Sequence, residues 1–399
     1  MDALMLPLNW QKVRLGDIAE IKRGASPRPI ENPKWFCTNS NVGWVRISDI
    51  SKNSRFLYKT AQKLSKKGIE KSRFIKQNSL IMSMCATIGK PIITKIDTCI
   101  HDGFVVFENP KIDLNYLYYF LCYIEKEWLE SGQQGSQVNL NVDLIKNKEV
   151  FCPKDLDEQI AIANILSDLD RYLCALDALI LKKESVKKAL SFELLSQKKR
   201  LKGFNQAWQR VRLGDICEFG NGGAYETLIV ENGDFKLISL NSIDINGNLK
   251  NTMKRVNFYD NSLKQDDIVM VLSDVAHGDF LGLCAVIPSN DYVLNQRMGR
   301  LRKRNDCINI LFLRLYINAN QKYFKMQGQG SSQLNLSKKA IEDFEILLPP
   351  LNEQIAIANI LSALDSEIAS LKNKKRQFDN IKKALNHDLM SAKIRVLKK

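Results

Sequence analysis

Acidic and basic side chains near residue 20 have the types and spacing of a metal-dependent nuclease site. Asp17, Glu20 and Lys22 lie within the segment GDIAEIK, and carboxylates that hold a cation beside a lysine can promote phosphodiester cleavage. A second copy of the segment, GDICEFG, keeps both carboxylates but has Gly220 in place of the lysine. Because a catalytic cluster should persist in both copies, we interpret the segment as a turn that leads into a strand in two related domains.

Methyl transfer is the second chemistry that the sequence could suggest. LLPPL at 347–351 has the two prolines of the Asn/Asp-Pro-Pro-aromatic motif that grips a flipped base, but it lacks the polar and the aromatic residue. The Gly-rich segments GQQGSQ and GQGSSQ follow helical stretches rather than strands, so a nucleotide-binding loop is not predicted. The nine cysteines include no CxxC pair, and the chain has three histidines. The sequence therefore predicts a non-catalytic protein with no cofactor and no metal.

The charge of the chain favours a polyanionic partner. Its 59 lysines and arginines exceed its 44 aspartates and glutamates, which gives a formal net charge of +15. Such an excess favours nucleic acid through release of counterions, and a merely solvated basic surface is the alternative. The start MDALMLPLNW lacks the features of a signal peptide, and no apolar run approaches the roughly 18 residues of a membrane span. We expect a cytoplasmic protein that is not inserted in a membrane.

Long phrases occur twice, which indicates a tandem duplication. EQIAIANIL occupies 158–166 and 353–361, WQKVRLGDIAE at 10–20 returns as WQRVRLGDICE at 208–218, and GSQVNLN at 135–141 returns as SSQLNLS at 331–337. The loops between these phrases differ. The pattern predicts four segments: a first head at 1–150, a long helix at 151–202, a second head at 203–345 and a second long helix at 346–399.

The two long helices have the apolar spacing of a coiled coil. They are predicted to begin after Pro153 and Pro350, with Asp157 and Asn352 as N-caps. A lone helix of this kind needs a partner, and a pseudo-two-fold relation between the copies makes the pair antiparallel. The predicted pairing residues repeat at spacings of three and four: Leu166, Leu169, Leu173 and Leu176 in the first helix, and Leu361, Leu364, Ile368 and Leu371 in the second.

The heads are predicted to mix helices and strands. WVRISDI and FKLISLNSI alternate apolar and polar residues as strands do. Aromatic helical stretches at 114–131 and 308–326 are interpreted as core, with base stacking as the alternative. The expected fold class is α+β, in which two mixed α/β domains alternate with two long helices that pair as an antiparallel coiled coil.

This organisation resembles the specificity subunit of type I restriction–modification enzymes over essentially the whole chain. The resemblance rests on the helix openings LDEQIAIANILSDLD and LNEQIAIANILSALD, each preceded by GSQVNLN or SSQLNLS. It implies that each head is a target recognition domain for one half of a bipartite, asymmetric site in double-stranded DNA. It also implies that the helices space the heads and dock methyltransferase subunits, with two copies expected, and that endonuclease subunits join the complex.

Polar, basic and aromatic residues of the divergent loops are the candidates for contacts with DNA. Arginine suits guanine edges, asparagine and glutamine suit adenine, and lysine suits phosphate. In the first head the candidates are Arg23, Arg28, Lys34, Trp35, Arg46, Lys52, Arg55, Lys90 and His101. In the second head they are Asn241, Ser242, Lys254, Arg255, Ser273, His277, Gln296, Arg297 and Arg300. A solvated or structural side chain is the alternative for each of them.

A different class of function is a coiled-coil adaptor whose heads bind protein. In that case the basic charge is incidental. DNA affinity that is specific and falls steeply with salt separates the two hypotheses, because only a protein that neutralises phosphates has it.

Overall fold

The computed structural model describes residues 8–51, 55–131, 140–275 and 278–396. The chain forms two compact units: unit 1 consists of Met1–Asp177 and Asn373–Lys399, and unit 2 of Ala178–Lys372. Each unit contains one head and a part of each long helix. No helix in the described ranges is long and apolar enough to cross a bilayer.

Unit 1 contains a pair of strands and two mixed sheets. Its strands are β1 Trp10–Arg14, β2 Glu20–Arg23, β3 Gly43–Val45, β4 Phe56–Leu57, β5 Gln62–Lys63, β6 Arg73–Ile75, β7 Leu80–Ser83, β8 Pro91–Thr94, β9 Thr98–Ile100, β10 Phe104–Glu108 and β11 Glu149–Pro153. Strands β1 and β11 pair antiparallel, so the start of the head is fastened to its end. The sheets have the orders β2-β10-β7-β8-β4 and β5-β3-β9-β6.

Helices of unit 1 pack against both of its mixed sheets. They are α1 Leu15–Ile18, α2 Ile47–Ser51, α3 Lys66–Glu70, α4 Leu114–Tyr123, α5 Glu125–Ser131, α6 Val142–Asn147 and the long helix α7 Leu156–Leu195, with a 3-10 turn at Pro33–Trp35. Tyr116, Tyr119 and Phe120 of α4 are buried in one cluster with Leu80 of β7 and Ile162 of α7. The aromatic stretch is therefore core, as predicted.

The strands of unit 2 follow an order similar to that of unit 1, but its two larger sheets contain four and three strands instead of five and four. Its strands are β12 Gln209–Arg212, β13 Cys217–Asn221, β14 Phe235–Ile238, β15 Arg255–Val256, β16 Ile268–Val271, β17 Ser273–Val275, β18 Cys284–Val286, β19 Tyr292–Leu294, β20 Met298–Lys303, β21 Gln333–Asn335 and β22 Glu345–Leu348. Strands β12 and β22 pair as β1 and β11 do, and the sheets have the orders β13-β20-β16-β18, β15-β14-β19 and β17-β21.

The helices of unit 2 also follow those of unit 1. They are α8 Leu213–Ile216, α9 Ile310–Ala319, α10 Gln321–Gln327, α11 Lys338–Glu342 and the long helix α12 Leu351–Met390, with 3-10 turns at Glu226–Leu228 and Leu240–Ser242. Phe312 and Phe324 of α9 and α10 are buried with Leu361 of α12. The repeated order confirms the predicted α+β fold with two related mixed domains.

Gln159 and Gln354, from the repeated phrase, fasten each long helix to its head. The side-chain amide of Gln159 donates to the carbonyl of Pro153 at 2.8 Å and accepts from the backbone N–H of Asp113 at 2.8 Å. Gln354 makes the same two bonds, to Pro349 and Asn309, also at 2.8 Å. Since one side chain ties the last strand and the start of α4 or α9 to the long helix, the phrase is needed in both copies.

The helix starts differ slightly from the prediction. Asp157 and Asn352 are the second residues of α7 and α12 rather than N-caps. The carboxylate of Asp155 accepts from the N–H of Asp157 at 3.0 Å, and the carbonyl of Pro350 accepts from Glu353 and Gln354. Residues before the apolar pattern thus satisfy the free amides, and both helices begin two residues earlier than predicted.

In each unit, a part of α7 packs antiparallel against a part of α12, which confirms the predicted pairing. Asp170 pairs with Lys382 and Asp177 with Lys375 in unit 1, so residue numbers rise on one helix as they fall on the other. Unit 2 has the same sense. Of the predicted pairing residues, Leu166, Leu173, Leu176, Leu361 and Ile368 are buried, and Leu169, Leu364 and Leu371 are half-buried.

Candidate nucleic-acid interface

In the first head, the loop after β2 lies directly on the turn between β9 and β10. The N–H of Gly24 donates to the carbonyl of Phe104 at 2.8 Å, and that of Ala25 to Ile100 at 3.1 Å. A Cβ at Gly24 would overlap the carbonyl of His101, so only glycine allows this approach. The close approach brings Arg23, which ends β2, to the same edge as the turn.

Asp102 gathers the basic side chains at this edge. Its carbonyl accepts from Nε of Arg23 at 2.8 Å, and its carboxylate accepts from Nη2 of Arg28 and Oγ of Ser26, each at 2.8 Å. Partial burial disfavours the ionised carboxylate, but the Ser26 hydrogen bond and the Arg28 charge outweigh it and lower the pKa of Asp102. The carboxylate therefore stays charged and holds the loop in place.

Two more arginines complete what we call the arginine cluster: Arg23, Arg28, Arg46 and Arg73. Nε of Arg73 donates to the carbonyl of Arg23, and Nε of Arg46 donates to Oε1 of Gln62 at 3.0 Å. Sequence reasoning missed Arg73, because nothing in its strand pattern marks it. The four guanidiniums outnumber the nearby carboxylates of Asp102 and of Asp49, which accepts from the N–H of Arg46 at 2.9 Å, so this edge is positively charged.

His101 forms the apolar side of the same edge. Its ring lies 4.6 Å from that of Phe104, and burial lowers its pKa, an effect opposed by Asp102 and reinforced by Arg46. The imidazole is therefore neutral near pH 7, and its Nδ1 accepts from the N–H of Gly103 at 2.9 Å. Arg23, His101 and Asp102 line an open cleft of about 340 Å³ together with Met84, Cys85, Gly103 and Leu140.

The other candidates of the first head lie elsewhere. Lys34 is exposed above the ring of Trp35 at 4.3 Å, and Trp35 itself is buried. Lys90 is half-buried, and Lys52 lies outside the described residues. Lys34 and Lys90 therefore do not join the arginine cluster through any contact that the structure describes.

Arg55 is a buried structural residue, in contrast to its predicted contact with DNA. It is 6% exposed. Nη1 donates to Tyr119 at 2.9 Å and to Ser167 at 2.7 Å, and Nη2 donates to Asn115 at 2.6 Å. Because these bonds tie the first head to α4 and α7, Arg55 cannot reach a DNA groove without local unfolding.

The second head has an equivalent edge with different side chains. A Cβ at Gly222 would overlap the carbonyl of Asn295, as at Gly24 and His101. Between β19 and β20, Gln296 and Arg297 are exposed, and Arg297 has a left-handed φ of 68°. The buried amide of Asn295 donates to Glu226 at 2.6 Å.

Lys254 belongs to this second edge. Its ammonium lies 3.3 Å from the Glu226 carboxylate that accepts from Asn295. Lys254, Gln296 and Arg297 are thus the predicted residues that the structure brings together in the second head.

The repeated phrase SSQLNLS lies beside this edge. Gln333 donates to Oγ of Ser273 at 3.0 Å, and Asn335 also bonds to Ser273. The N–H of Leu336 donates to Leu272 at 2.8 Å, and that of Leu140 donates to Met84 at 3.0 Å in the first head. Gln333 and Asn335 were missed as candidates, although the repetition of their phrase was a signal. Most of its first copy lies outside the described residues.

Arg300 and Arg255 of the second head serve the fold. Arg300 bonds to Glu218 at 2.6 Å and to the carbonyl of Ser262 at 3.1 Å, and Arg255 donates to Gly233 at 2.7 Å. Asn241 is exposed, and His277 lies outside the described residues. Four of the residues predicted to contact DNA are buried, so they do not form part of the candidate interface: Trp35, Arg55, Ser242 and Ser273.

Within the described ranges, no group of three or more His, Cys, Asp or Glu side chains could hold a metal ion. The acidic segment near residue 20 is an ion-pair ladder instead. Lys22 of β2 contacts Glu108 of β10 at 2.5 Å and Glu20 of its own strand at 2.9 Å.

Known proteins are similar to this chain in sequence and in fold. The family model described as "Type I restriction modification DNA specificity domain" matches twice, at residues 7–184 and 205–378. The type I restriction enzyme MjaVIII specificity subunit of Methanocaldococcus jannaschii is 25% identical over 423 aligned residues, which cover 99% of this chain and 95% of that protein.

Solved structures agree in fold. The S subunit of a type I restriction–modification system from M. genitalium superposes with a TM-score of 0.64 at 16% identity, covering 98% of both chains. The HsdS subunit of Thermoanaerobacter tengcongensis gives 0.52 at 17% identity, covering 98% of this chain and 99% of that one. With the family model matching both halves, this chain belongs to the family of type I restriction–modification DNA specificity subunits.

Proposed function

We propose that this chain selects the DNA site of a type I restriction–modification complex, and that each head reads one half of an asymmetric site. The observation that carries the proposal is the equivalence of the two edges. Both are built on a glycine that packs against the following turn, but one displays the arginine cluster and the other displays Lys254, Gln296 and Arg297. The same backbone arrangement with different side chains suits two domains that recognise different DNA sequences.

The charge of the edges supports a nucleic-acid partner over the adaptor alternative. In the first head, the exposed side chain of Arg28 and the neighbouring arginines outnumber the carboxylates of Asp102 and Asp49. Guanidiniums can contact phosphates and guanine edges, and the formal charge of +15 favours association with DNA. The long helices set the spacing between the half-sites in this proposal.

The chain transfers no methyl group by itself. In the candidate nuclease segment, the Glu20 carboxylate is engaged with Lys22 and Asn109, which suits a structural role rather than DNA cleavage. Purified chain with S-adenosylmethionine and host DNA should produce no methylated base, whereas the complex with its methyltransferase should. Methyl transfer by the chain alone would overturn this part of the proposal.

Two copies of a methyltransferase subunit dock at the starts of the long helices. Leu156 and Ile160 are 52% and 38% exposed, and their equivalents Leu351 and Ile355 are 38% and 37% exposed. Each pair is one turn apart on its helix, and the residues are identical in both copies while the heads differ. Repeated apolar patches on the surface suit a repeated partner.

The stoichiometry can be tested by native mass spectrometry of the chain with its methyltransferase. Ile160→Glu and Ile355→Glu should each leave one bound subunit, and the double variant should leave none. Tyr58→Glu, at an exposed residue of the first head, is the matched control and should keep two. Two subunits on the double variant would place the docking surface elsewhere.

The main experiment maps modified bases in the host genome with and without this gene. Exchange of residues 1–150 for those of a relative should then change one half-site and leave the other unchanged. A change in both halves would contradict the assignment of one half-site to each head.

A further inference from the structure

We propose that α7 and α12 carry complementary side chains, so that each helix prefers the other over a second copy of itself. The proposal does not depend on what the heads bind. Equivalent residues of the two helices are 195 positions apart. Because the helices are close in sequence, like and unlike pairs share most of their apolar seam, and selection between them must come from the residues that differ.

We call each level of contacts along the helix pair a layer, and one layer is the same in both units. Asp170 pairs with Lys382 in unit 1, and the equivalent residues Asp365 and Lys187 pair in unit 2. A pair of like helices would keep these contacts, since each helix has both members. This layer fixes the register of the pair without selecting the partner.

The adjacent layer differs between the units. In unit 1, the rings of Tyr172 and Phe378 lie 4.7 Å apart. In unit 2, the equivalent positions hold Glu367 and Lys183, which form an ion pair at 2.8 Å. Two copies of α7 would instead bring Tyr172 to Lys183, and two copies of α12 would bring Glu367 to Phe378. An aromatic contact and an ion pair exist only when the helices are unlike.

Charge adds a repulsive element against like pairs. Asp177 and Lys372 are equivalent residues of opposite charge: Asp177 pairs with Lys375 at 2.7 Å, and Lys372 pairs with Glu184 at 2.6 Å. In two copies of α7, Glu184 would face Asp177 without Lys375, which attracts both Asp177 and Asp379 in the natural pair. In two copies of α12, Lys375 would face Lys372. Each mismatch would occur twice, because a symmetric antiparallel pair presents every contact twice.

The observed pairs therefore favour the association of α7 with α12 over the association of either helix with a second copy of itself. Each exposed ion pair contributes little alone, so selection depends on several layers that act together. The disfavoured partner is the same helix of another copy of this chain, which is present at the same concentration in any cell that makes the protein.

The test uses the full chain and two sets of substitutions. The first variant gives α12 the residues of α7: Glu367→Tyr, Lys372→Asp, Lys375→Ile and Phe378→Lys. The second variant adds the reciprocal changes in α7: Tyr172→Glu, Asp177→Lys, Ile180→Lys and Lys183→Phe. The second variant contains twice as many changes, but its two helices are again complementary.

Thermal unfolding and size-exclusion chromatography give the readout. The first variant should lose roughly 3–8 °C in Tm, and adding salt should recover part of the loss because the new aspartate opposite Glu184 is screened. The second variant should return to within about 2 °C of the natural chain. The proposal fails if the first variant is as stable as the natural chain, or if the second is no more stable than the first.

Discussion

The two halves of the chain bury the same glutamate at the start of each long helix but surround it with different donors. Glu158 accepts from Nδ2 of Asn9 at 2.7 Å and from Nε1 of Trp10 at 3.3 Å. Glu353 accepts from Trp208 at 3.0 Å and from two nitrogens of Arg200, at 3.1 and 2.6 Å. One carboxylate is bound by neutral groups, whereas the other forms a salt bridge.

This difference teaches that a repeated phrase does not imply equal energetics. Arg395 is the equivalent of Arg200, yet it donates to Oδ1 of Asn9 at 2.9 Å instead of to Glu158. Both units have the same contact at the start of the long helix, because each has a tryptophan that donates to the glutamate. The strength of each anchor depends on residues outside the phrase. The same holds at the recognition edges, where equal glycines support unlike side chains.

The largest expected effect separates the two anchors. Glu353→Ala removes a fully buried carboxylate and leaves Arg200 and Trp208 without their acceptor, so unit 2 should lose about 3 kcal/mol. Glu158→Ala leaves only the neutral donors of Asn9 and Trp10 without an acceptor, so the stability of unit 1 should fall by about 1.5 kcal/mol. Hydrogen exchange at β12 and at β1 reports the two units separately. Equal losses would show that the arginine adds nothing.

Arginines of the first head should divide into a structural and a surface class. Arg55→Met leaves Asn115, Tyr119 and Ser167 without their donor and should destabilise unit 1 by about 2 kcal/mol. Arg28→Met should change stability by less than about 0.5 kcal/mol, because the Arg28 side chain is 71% exposed. Denaturant unfolding checks both variants. A stable Arg55→Met variant would return this residue to the recognition surface.

The recognition edges should differ in their response to salt. Arg28→Ala should weaken DNA binding about tenfold and reduce the slope of log affinity against log salt by about 1, because a charge near phosphates is lost. Gln296→Ala should weaken binding with the slope unchanged, because a neutral amide releases no counterion. Filter binding at several salt concentrations measures both slopes. Glu231→Gln, at an exposed residue of the second head, should leave affinity for the site within about threefold.

The smallest effect is a pH dependence confined to the first head. The pKa of His101 is lowered below its ordinary value of 6.5, mainly by burial. As the pH falls through 6.5, the unfolded chain takes up a proton that the folded head resists, so stability should fall. The lowered pKa of Asp102 acts only below its ordinary value of 3.8, so the two windows are separate.

His101→Asn, the residue type found at Asn295 in the second head, should remove this dependence between pH 7.5 and 5.5. The expected change is about 1 kcal/mol or less, measured as the Tm of unit 1 at each pH. A pH dependence that persists in His101→Asn would assign it to another group.

Much of the architecture could be predicted from the sequence because it depends on periodic patterns. The repeated phrases indicated the duplication, and leucines at spacings of three and four indicated helices that bury one stripe. Antiparallel pairing followed from the relation between the copies, and the structure confirms it. The helix starts were misplaced by two residues because Asp155 and Pro350 could cap as well as Asp157 and Asn352.

The recognition edges were decided by tertiary structure. Arg55 and Arg28 are both arginines in divergent loops, yet α4 and α7 cover the first and leave the second in solvent. Ser273 meets Gln333 although 60 residues separate them, and Arg73 reaches the carbonyl of Arg23 across 50 residues. Local sequence fixes which element a polar side chain belongs to. Whether that side chain faces water depends on which distant element packs over it, since burial requires that distant partners satisfy its hydrogen bonds.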